Sequence, residues 1–553
     1  MFAKVSGKII LPYIVFIFSL GYFTFQLVKN IDIIGTIDDE IYNKSKNRIV
    51  GIVKYKGEYK ELFNEYENSP NNAYVKNLGF AKLISQSLPP ISSIAIGDKT
   101  FPLLIWFHAG FPPYTIQNLF LHIKYTVISA RIPCVLLAYL LVFVIFLIFK
   151  ELGFKTPSIL FGISFFMVSA SFIIFSVQSA SFPYMFCNLL FVIFILLSIK
   201  DRFVLSSIAA GLIILSYLKF GANLVLPYIL ITLFSTQDIR ATLKKISIFS
   251  LTLLLFASPY IIHSLVFYEL DKNLPRPGGN SFFSFFPRTP ITFIIQYAQR
   301  FDIIQGIKNG LIDIAEIIGK VGYGTHLTVN YSYSASKFFL IPIFLFTLCF
   351  FEKRLISLLA IVILYILCES ITFTAHGFPR RFIIVLPIII STLGVISWEY
   401  RKKIFGLILI TFMIAYAYTQ IKELNKFIGK LKKEGIALQY THMEVQEELK
   451  KFLIENNIKE ISNFSALINL DIISEGKVNV YDWSYAILWG AIKFNPAIFQ
   501  VNEGRYILFS WIKPHDEIEK IARMYKFKLR KIKSFSRGNN EIFTISKIER
   551  ENQ

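Results

Sequence analysis

VISARIPCVLLAYLLVFVIFLIF fills residues 127–149, and Lys150 follows directly. A helix rises about 1.5 Å per residue and the hydrocarbon core of a bilayer is about 30 Å thick, so an apolar run of this length reads as a membrane span. Working outward, ten further apolar segments lie at residues 9–29, 157–177, 182–199, 203–218, 222–234, 246–267, 338–351, 355–373, 382–398 and 404–420, the 222–234 and 338–351 runs being short. The loops between them sort by charge. Lys4, Lys8, Lys150, Lys155, Lys200, Arg202, Arg240, Lys244, Lys245, Lys353, Arg354, Arg401, Lys402 and Lys403 fall on one side, which the positive-inside rule assigns to the cytoplasm. The fold class expected is a polytopic α-helical membrane protein of about 11 transmembrane helices, N-terminus cytoplasmic, with a C-terminal extracytoplasmic α/β domain.

Composition agrees with lipid as the solvent around the core. Of 553 residues 54% are hydrophobic and 17% charged, which sets soluble classes aside. The formal charge of +21 would suggest nucleic acid as a partner of a soluble protein. Here orientation explains the basic loops, and the remaining excess suits an anionic membrane lipid or a lipid phosphate. The apolar run after Lys8 is long and has no small-residue cleavage site before Asp32, so it reads as a retained helix. Cys134, Cys187, Cys349 and Cys368 all fall inside expected helices, which implies neither a disulfide framework nor a thiolate metal site. The seven histidines form no HxH or HxxxH pair, so a histidine metal site would need distant segments.

The expected organisation is a transmembrane domain over residues 1–421, with outer loops of about 30–125 and 268–337, and an extracytoplasmic domain over 422–553. In the tail, Glu444–Glu455 reads as an amphipathic helix, Val478–Tyr481, Tyr506–Trp511 and Ile542–Ile545 as strands, and Asp516–Tyr525 as a helix. In the first outer loop Val75, Leu78, Ala81 and Leu83 suit a segment lying on the membrane surface; in the second, Phe282, Phe283, Phe285, Phe286 and Pro287 suit the headgroup level.

Two constellations carry chemistry. Asp38, Asp39 and Glu40 follow the first helix, and a carboxylate at the boundary of water and lipid can take a proton from a hydroxyl; the alternative is a solvated loop. The second is basic: Arg380 and Arg381 at the outer mouth of a late helix, Lys219 at an outer turn and Arg131 near the outer end of the 127–149 run. Guanidinium groups suit phosphate through paired hydrogen bonds, the alternative being snorkelling to headgroups. Glu369, inside a helix, reads as an ion-pair partner within the bundle. Tyr481-Asp482-Trp483-Ser484-Tyr485 shares residue types with the acceptor motif of oligosaccharyltransferases in a different order, and Trp483 reads as tail core.

The pattern resembles the GT-C superfamily of membrane glycosyltransferases, in the bacterial branch related to protein O-mannosyltransferases and aminoarabinose transferases. Asp39-Glu40-Ile41-Tyr42 resembles that family's Asp-Glu-x-Tyr loop, Ser129-Ala130-Arg131-Ile132-Pro133 its Arg-x-Pro segment, and Pro379-Arg380-Arg381-Phe382 with Pro387 its late Arg-Tyr…Pro signature. The resemblance implies a polyprenyl-phosphate sugar donor and a lipid, glycan or protein acceptor. It also implies Asp39 as catalytic base with Glu40 beside it, and Arg380, Arg381, Lys219 and Arg131 as donor phosphate-binding residues. This chain departs from it at Gln178-Ser179-Ala180-Ser181-Phe182-Pro183-Tyr184, uncharged where many relatives hold an acidic or arginine residue, which leaves open whether a divalent cation takes part. Three rival readings are a transporter or flippase of a lipid-linked anion, expected to show interrupted helices and midplane charges, a polysaccharide polymerase or ligase, and a non-catalytic membrane scaffold.

Overall fold

The structure, a computed structural model, describes residues 7–31, 92–96, 99–106, 109–124, 126–177, 182–235, 238–273, 302–319, 352–372, 379–434, 443–464, 474–482, 499, 502–510, 515–537 and 540–551. The expected span 338–351, the surface segment around 74–88 and the aromatic cluster at 282–287 lie outside them.

Helices α1 (Gly7–Asn30), α2 (Pro112–Ile123), α3 (Val127–Glu151), α4 (Thr156–Met167), α5 (Ala170–Val177), α6 (Phe182–Ile199), α7 (Phe203–Ser216), α8 (Leu218–Ala222), α9 (Val225–Ser235), α10 (Ile239–Asn273), α11 (Ile303–Gly319), α12 (Ile356–Thr372), α13 (Leu386–Glu399) and α14 (Ile404–Glu434) make up the apolar part of the chain. Before α2, strands β1 (Ser92–Ile96), β2 (Lys99–Trp106) and β3 (Ala109–Gly110) form a small antiparallel sheet that touches α7 and α10 and places Leu104 in the helical core. Among the described residues six helices are long and apolar enough to cross a membrane, or seven if α4 and α5 form one bent span. The faces they leave exposed are apolar: Phe18 is 74% exposed on α1, Leu251 71% on α10 and Ile404 79% on α14. Surfaces of that kind belong against hydrocarbon rather than water. On α3 the division is visible residue by residue, with Cys134, Ala138, Leu141 and Ile145 buried at helical spacing while Leu136, Leu140 and Phe143 point out.

Several expected spans differ from the observed helices. The 157–177 run is two helices that bend by 69° at Val168-Ser169. In hydrocarbon no water can satisfy the freed backbone, and here the Gln420 side chain of α14 accepts from Ala170 N at 2.9 Å, closing the new helix start. The 203–218 run ends at Ser216, because Tyr217 is extended (φ −155°, ψ 97°), and the chain restarts as the five-residue α8. The Tyr260 hydroxyl donates to the Leu215 carbonyl at 2.9 Å, covering one acceptor at the end of α7. Helix α14 runs past the expected end at Gln420 as far as Glu434, and α10 covers 239–273 rather than 246–267.

The tightest packing in the bundle joins α4 to α13. A Cβ on Gly162 would lie 2.6 Å from the Ser391 carbonyl and 2.7 Å from Val395 N, and one on Gly394 would lie 2.6 Å from Gly162 Cα, so both glycines are needed for the backbones to meet. At the end of the bundle marked by basic loops, Arg354 pairs with Glu352 at 2.8 Å and reaches Glu399 at 3.8 Å, and its guanidinium lies 4.0 Å from the Phe154 ring centre. The Tyr400 hydroxyl donates to Glu352 at 2.9 Å and Ser158 to Glu399 at 2.7 Å.

Toward the C-terminus, α15 (Met443–Glu455), β4 (Glu460–Asn463), β5 (Asn479–Asp482), β6 (Tyr506–Ser510), α16 (His515–Met524), β7 (Phe527–Arg537) and β8 (Asn540–Arg550) form a five-stranded mixed sheet of order β5-β4-β6-β8-β7 with two helices. Val445, Leu449 and Leu453 of α15 cover Ile461, Leu508, Phe535, Phe543 and Ile545 in a core of their own. Strand β7 was not among the expected strands. Its basic residues disguise an alternation in which Phe527 and Leu529 are buried while Lys528 and Arg530 are exposed, as suits an edge strand.

Gly162→Ala should lower stability by about 1 to 3 kcal/mol, read as a melting shift in detergent, while Gly21→Ala, whose Cβ meets nothing within 4 Å, should leave it unchanged. The Arg354 side chain, by its hydrogen bond, holds the Glu352 carboxyl below its ordinary range, helped by Tyr400. A depressed folded pKa contributes stability above the unfolded value that is lost as pH falls through the folded one. Glu352→Gln should therefore melt below the parent at pH 7, with the gap closing as the buffer is taken below the usual carboxylate range.

Candidate functional site

Glu369 of α12 has no exposed surface. A carboxylate so placed in an apolar bundle requires partners, and both oxygens have them: Lys219 of α8 pairs with Oε1 and the Asn223 side chain donates to Oε2. Thr372 donates in turn to Asn223 Oδ1 at 3.3 Å, so the pairing residues are themselves held. Glu369 thus forms the ion pair expected of it within the bundle. Lys219 reaches it because of the break at Tyr217, which lets α8 depart from the line of α7, and Gly221 makes the turn tight enough to sit against the Ile214 backbone.

A second buried pair lies within electrostatic reach of Lys219. Arg381 is 3% exposed and its Nη2 is 3.0 Å from Asp313 Oδ2, the guanidinium lying 4.7 Å from the Phe382 ring centre. Asp313, fully buried, comes from α11, a helix in the stretch expected to be an outer loop. Gly306, Asn309, Gly310, Asp313 and Ile317 are buried at helical spacing along α11, and Gly310 presses directly against Ser370 of α12. Ser171 of α5 donates to the Ile317 carbonyl at 3.1 Å and fixes the other end. Two cations and two carboxylates so share one end of the bundle, and Lys219, its side chain 21% exposed, is the most exposed of the four. Beside it Tyr184, Tyr217 and Phe220 form an aromatic cluster, with the two tyrosine hydroxyls 3.5 Å apart.

Of the residues expected to bind phosphate, the structure brings Lys219 and Arg381 together. Arg380 stands in the same 3-10 turn (Pro379–Phe382), its side chain outside the described residues. Arg131, 2% exposed, makes a different contact and donates to the Ile31 carbonyl at the end of α1. That bond ties α3 to the point from which the chain leaves toward Asp39 and Glu40, which themselves lie outside the described residues, as do Gln178–Ser181. Asp313 and Asn223 were not expected. The buried stripe of α11 was a readable signal for the first, whereas Asn223 carries none. Among the described residues no group of three or more His, Cys, Asp or Glu gathers as a metal-holding set.

No protein-family model matches this chain, and no curated protein sequence matches it. Among solved structures, the crystal structure of ArnT from Cupriavidus metallidurans bound to undecaprenyl phosphate matches over 96% of this chain and 97% of that one, at 8% identity and a TM-score of 0.44. A likeness at that level assigns no residue a role.

Removing one partner of a buried ion pair costs about 3 to 5 kcal/mol because the other charge is left uncompensated. Glu369→Gln should show a loss of that order in detergent melts. The double variant Lys219→Met with Glu369→Gln should lose less than the sum of the single changes, and additive losses would mean the pair is not coupled.

Proposed function

We propose that the chain is an integral membrane glycosyltransferase that moves a sugar from a polyprenyl-phosphate donor to an acceptor hydroxyl or phosphate at the extracytoplasmic face. The observation that carries the proposal is the membrane-buried cluster of Lys219, Arg381, Glu369 and Asp313. It sits at the ends of α6 and α7 opposite the basic loops, which the positive-inside rule makes the outer end. The resemblance of the Asp39-Glu40-Ile41-Tyr42, Ser129–Pro133 and Pro379–Phe382 segments to the GT-C superfamily supports the same reading, with a cytoplasmic N-terminus and an extracytoplasmic tail domain after residue 421.

The chemistry required is short. The acceptor oxygen bonds to the anomeric carbon as the bond from that carbon to the phosphate oxygen breaks. The acceptor proton goes to Asp39, with Glu40 beside it, and the electron pair of the broken bond stays on the departing polyprenyl phosphate. Arg380, Arg381 and Lys219 neutralise that phosphate, where a low-dielectric site makes fixed charge effective. The carboxylates of Glu369 and Asp313 keep two cations in place before donor arrives, so little reorganisation accompanies the reaction. Arg131 positions the chain that carries Asp39 by its hold on Ile31.

Two observations favour the transporter reading, the 69° break between α4 and α5 and the break of α7 at Tyr217 beside Lys219. The first is uncharged and its freed Ala170 amide is covered by Gln420, and the second lies at the end of the bundle opposite the basic loops rather than midway along it. Protein in lipid, supplied with a polyprenyl-phosphate sugar and an acceptor extract, separates the two: release of polyprenyl phosphate is expected, and donor movement across the bilayer without release would support transport instead. In the same assay Asp39→Asn should lower turnover by about two to four orders of magnitude with donor affinity retained, and Glu40→Gln by less. Near-normal turnover in both variants would remove the base assignment.

A further inference from the structure

A second polar site lies at the other end of the bundle. Helix α6 is 18 residues long, so the Ser198 end is about 27 Å from the Tyr184 end. There a cavity of about 50 Å³ opens between α6, α7, α9, α10 and α12, with Ser198, Asp201, Tyr228, Thr232 and Lys245 on its wall beside the apolar Phe194, Phe203 and Ile361. A water needs roughly 10 to 15 Å³ on that measure, so the space holds a group of several heavy atoms but no nucleotide.

Three features decide what fits. The Ser198 hydroxyl lies just behind the wall, with no exposed surface and no hydrogen-bond partner among the described residues, and a turn about its χ1 presents it to the cavity. Lys245, its side chain 20% exposed, brings an ammonium that pairs with Asp201, whose side chain is 74% exposed and can swing into solvent. Close in sequence to the lining residues Asp201, Phe203 and Lys245, the side chains of Arg202, Arg240 and Lys244 are exposed, and so are the apolar Leu205 (52%) and Leu243 (59%). An ammonium and an unpartnered hydroxyl at the wall, with exposed basic and apolar side chains close by in sequence, are the combination that a lipid phosphate with its acyl chains requires.

We propose that this cavity seats the headgroup phosphate of a lipid from the leaflet on that side, with Lys245 and Ser198 as its donors and Asp201 as the anion that holds Lys245 when the cavity is empty. The site is independent of the Lys219 cluster and of the reaction proposed there.

The test is saturable binding of radiolabelled dihexanoyl phosphatidylglycerol to the full-length protein in a neutral detergent. Lys245→Gln should weaken binding about tenfold or more, since a charge-assisted hydrogen bond is lost. Asp201→Asn should tighten it severalfold by removing the competing carboxylate. Asp201 has φ 53°, a backbone asparagine adopts readily, and tighter binding cannot arise from misfolding. Lys353→Gln, an exposed basic position on the same side, should change nothing. Unchanged binding in both Lys245→Gln and Asp201→Asn, or no saturable binding, overturns the site. Displacement of the lipid by inorganic phosphate at equal concentration would assign it to free phosphate and overturn the lipid assignment.

Discussion

Hydrocarbon leaves a buried polar group no solvent to turn to, and that constraint on Glu369 organises one whole end of this molecule. Its carboxylate demands a cation, so α7 breaks at Tyr217 to bring Lys219 round on α8, and Asn223 fills the second oxygen. The same rule acts on the backbone. Where α4 and α5 part, Gln420 covers the exposed amide, and where α7 ends, Tyr260 covers the carbonyl. Both of these breaks are met by a side chain from another helix, so they are parts of the tertiary structure and not defects in it.

Charge balance also explains how positive groups can be held inside a membrane-spanning bundle. A lone guanidinium at Arg381 would be costly to bury; paired with Asp313 and stacked on Phe382 it is held in one position. The two carboxylates thereby fix the cations, and the proposed reaction draws on charge already in place. At the opposite end the order is reversed: the basic loops lie at the surface and Arg354 joins Glu352, Glu399 and Phe154 in a network that fastens helix ends together. One end of the bundle gathers its ion pairs in the interior, and the other fastens helix ends together near the surface.

Much was legible before any coordinates. Length of apolar runs located α1, α3, α6 and α12 to within a few residues, because for these helices the bilayer alone sets the length. Glu369 as an ion-pair partner was legible too, since an ionised residue in such a run has few other fates. Less was visible where two helices share one apolar run. Residues 157–177 and 203–218 are uncharged throughout, and the bends at Ser169 and Tyr217 have no Pro or Gly at the break to announce them. Helix α11 was hidden for the opposite reason, as a short amphipathic stretch inside a long polar-flanked segment whose buried face is partly glycine.

By itself the sequence determined the solvent of this protein, the helical class, the charge asymmetry between its two faces and the presence of cations where a lipid phosphate could be met. These follow from composition and period, which are properties of single segments. Only the tertiary structure decided which charges are partners, that Asp313 joins Arg381 while Arg131 turns to Ile31, and that Gly162 and Gly394 bring α4 and α13 into backbone contact. The physical reason is that pairing and close approach depend on positions far apart in the chain, as Lys219 and Glu369 are, and no local pattern records such a meeting.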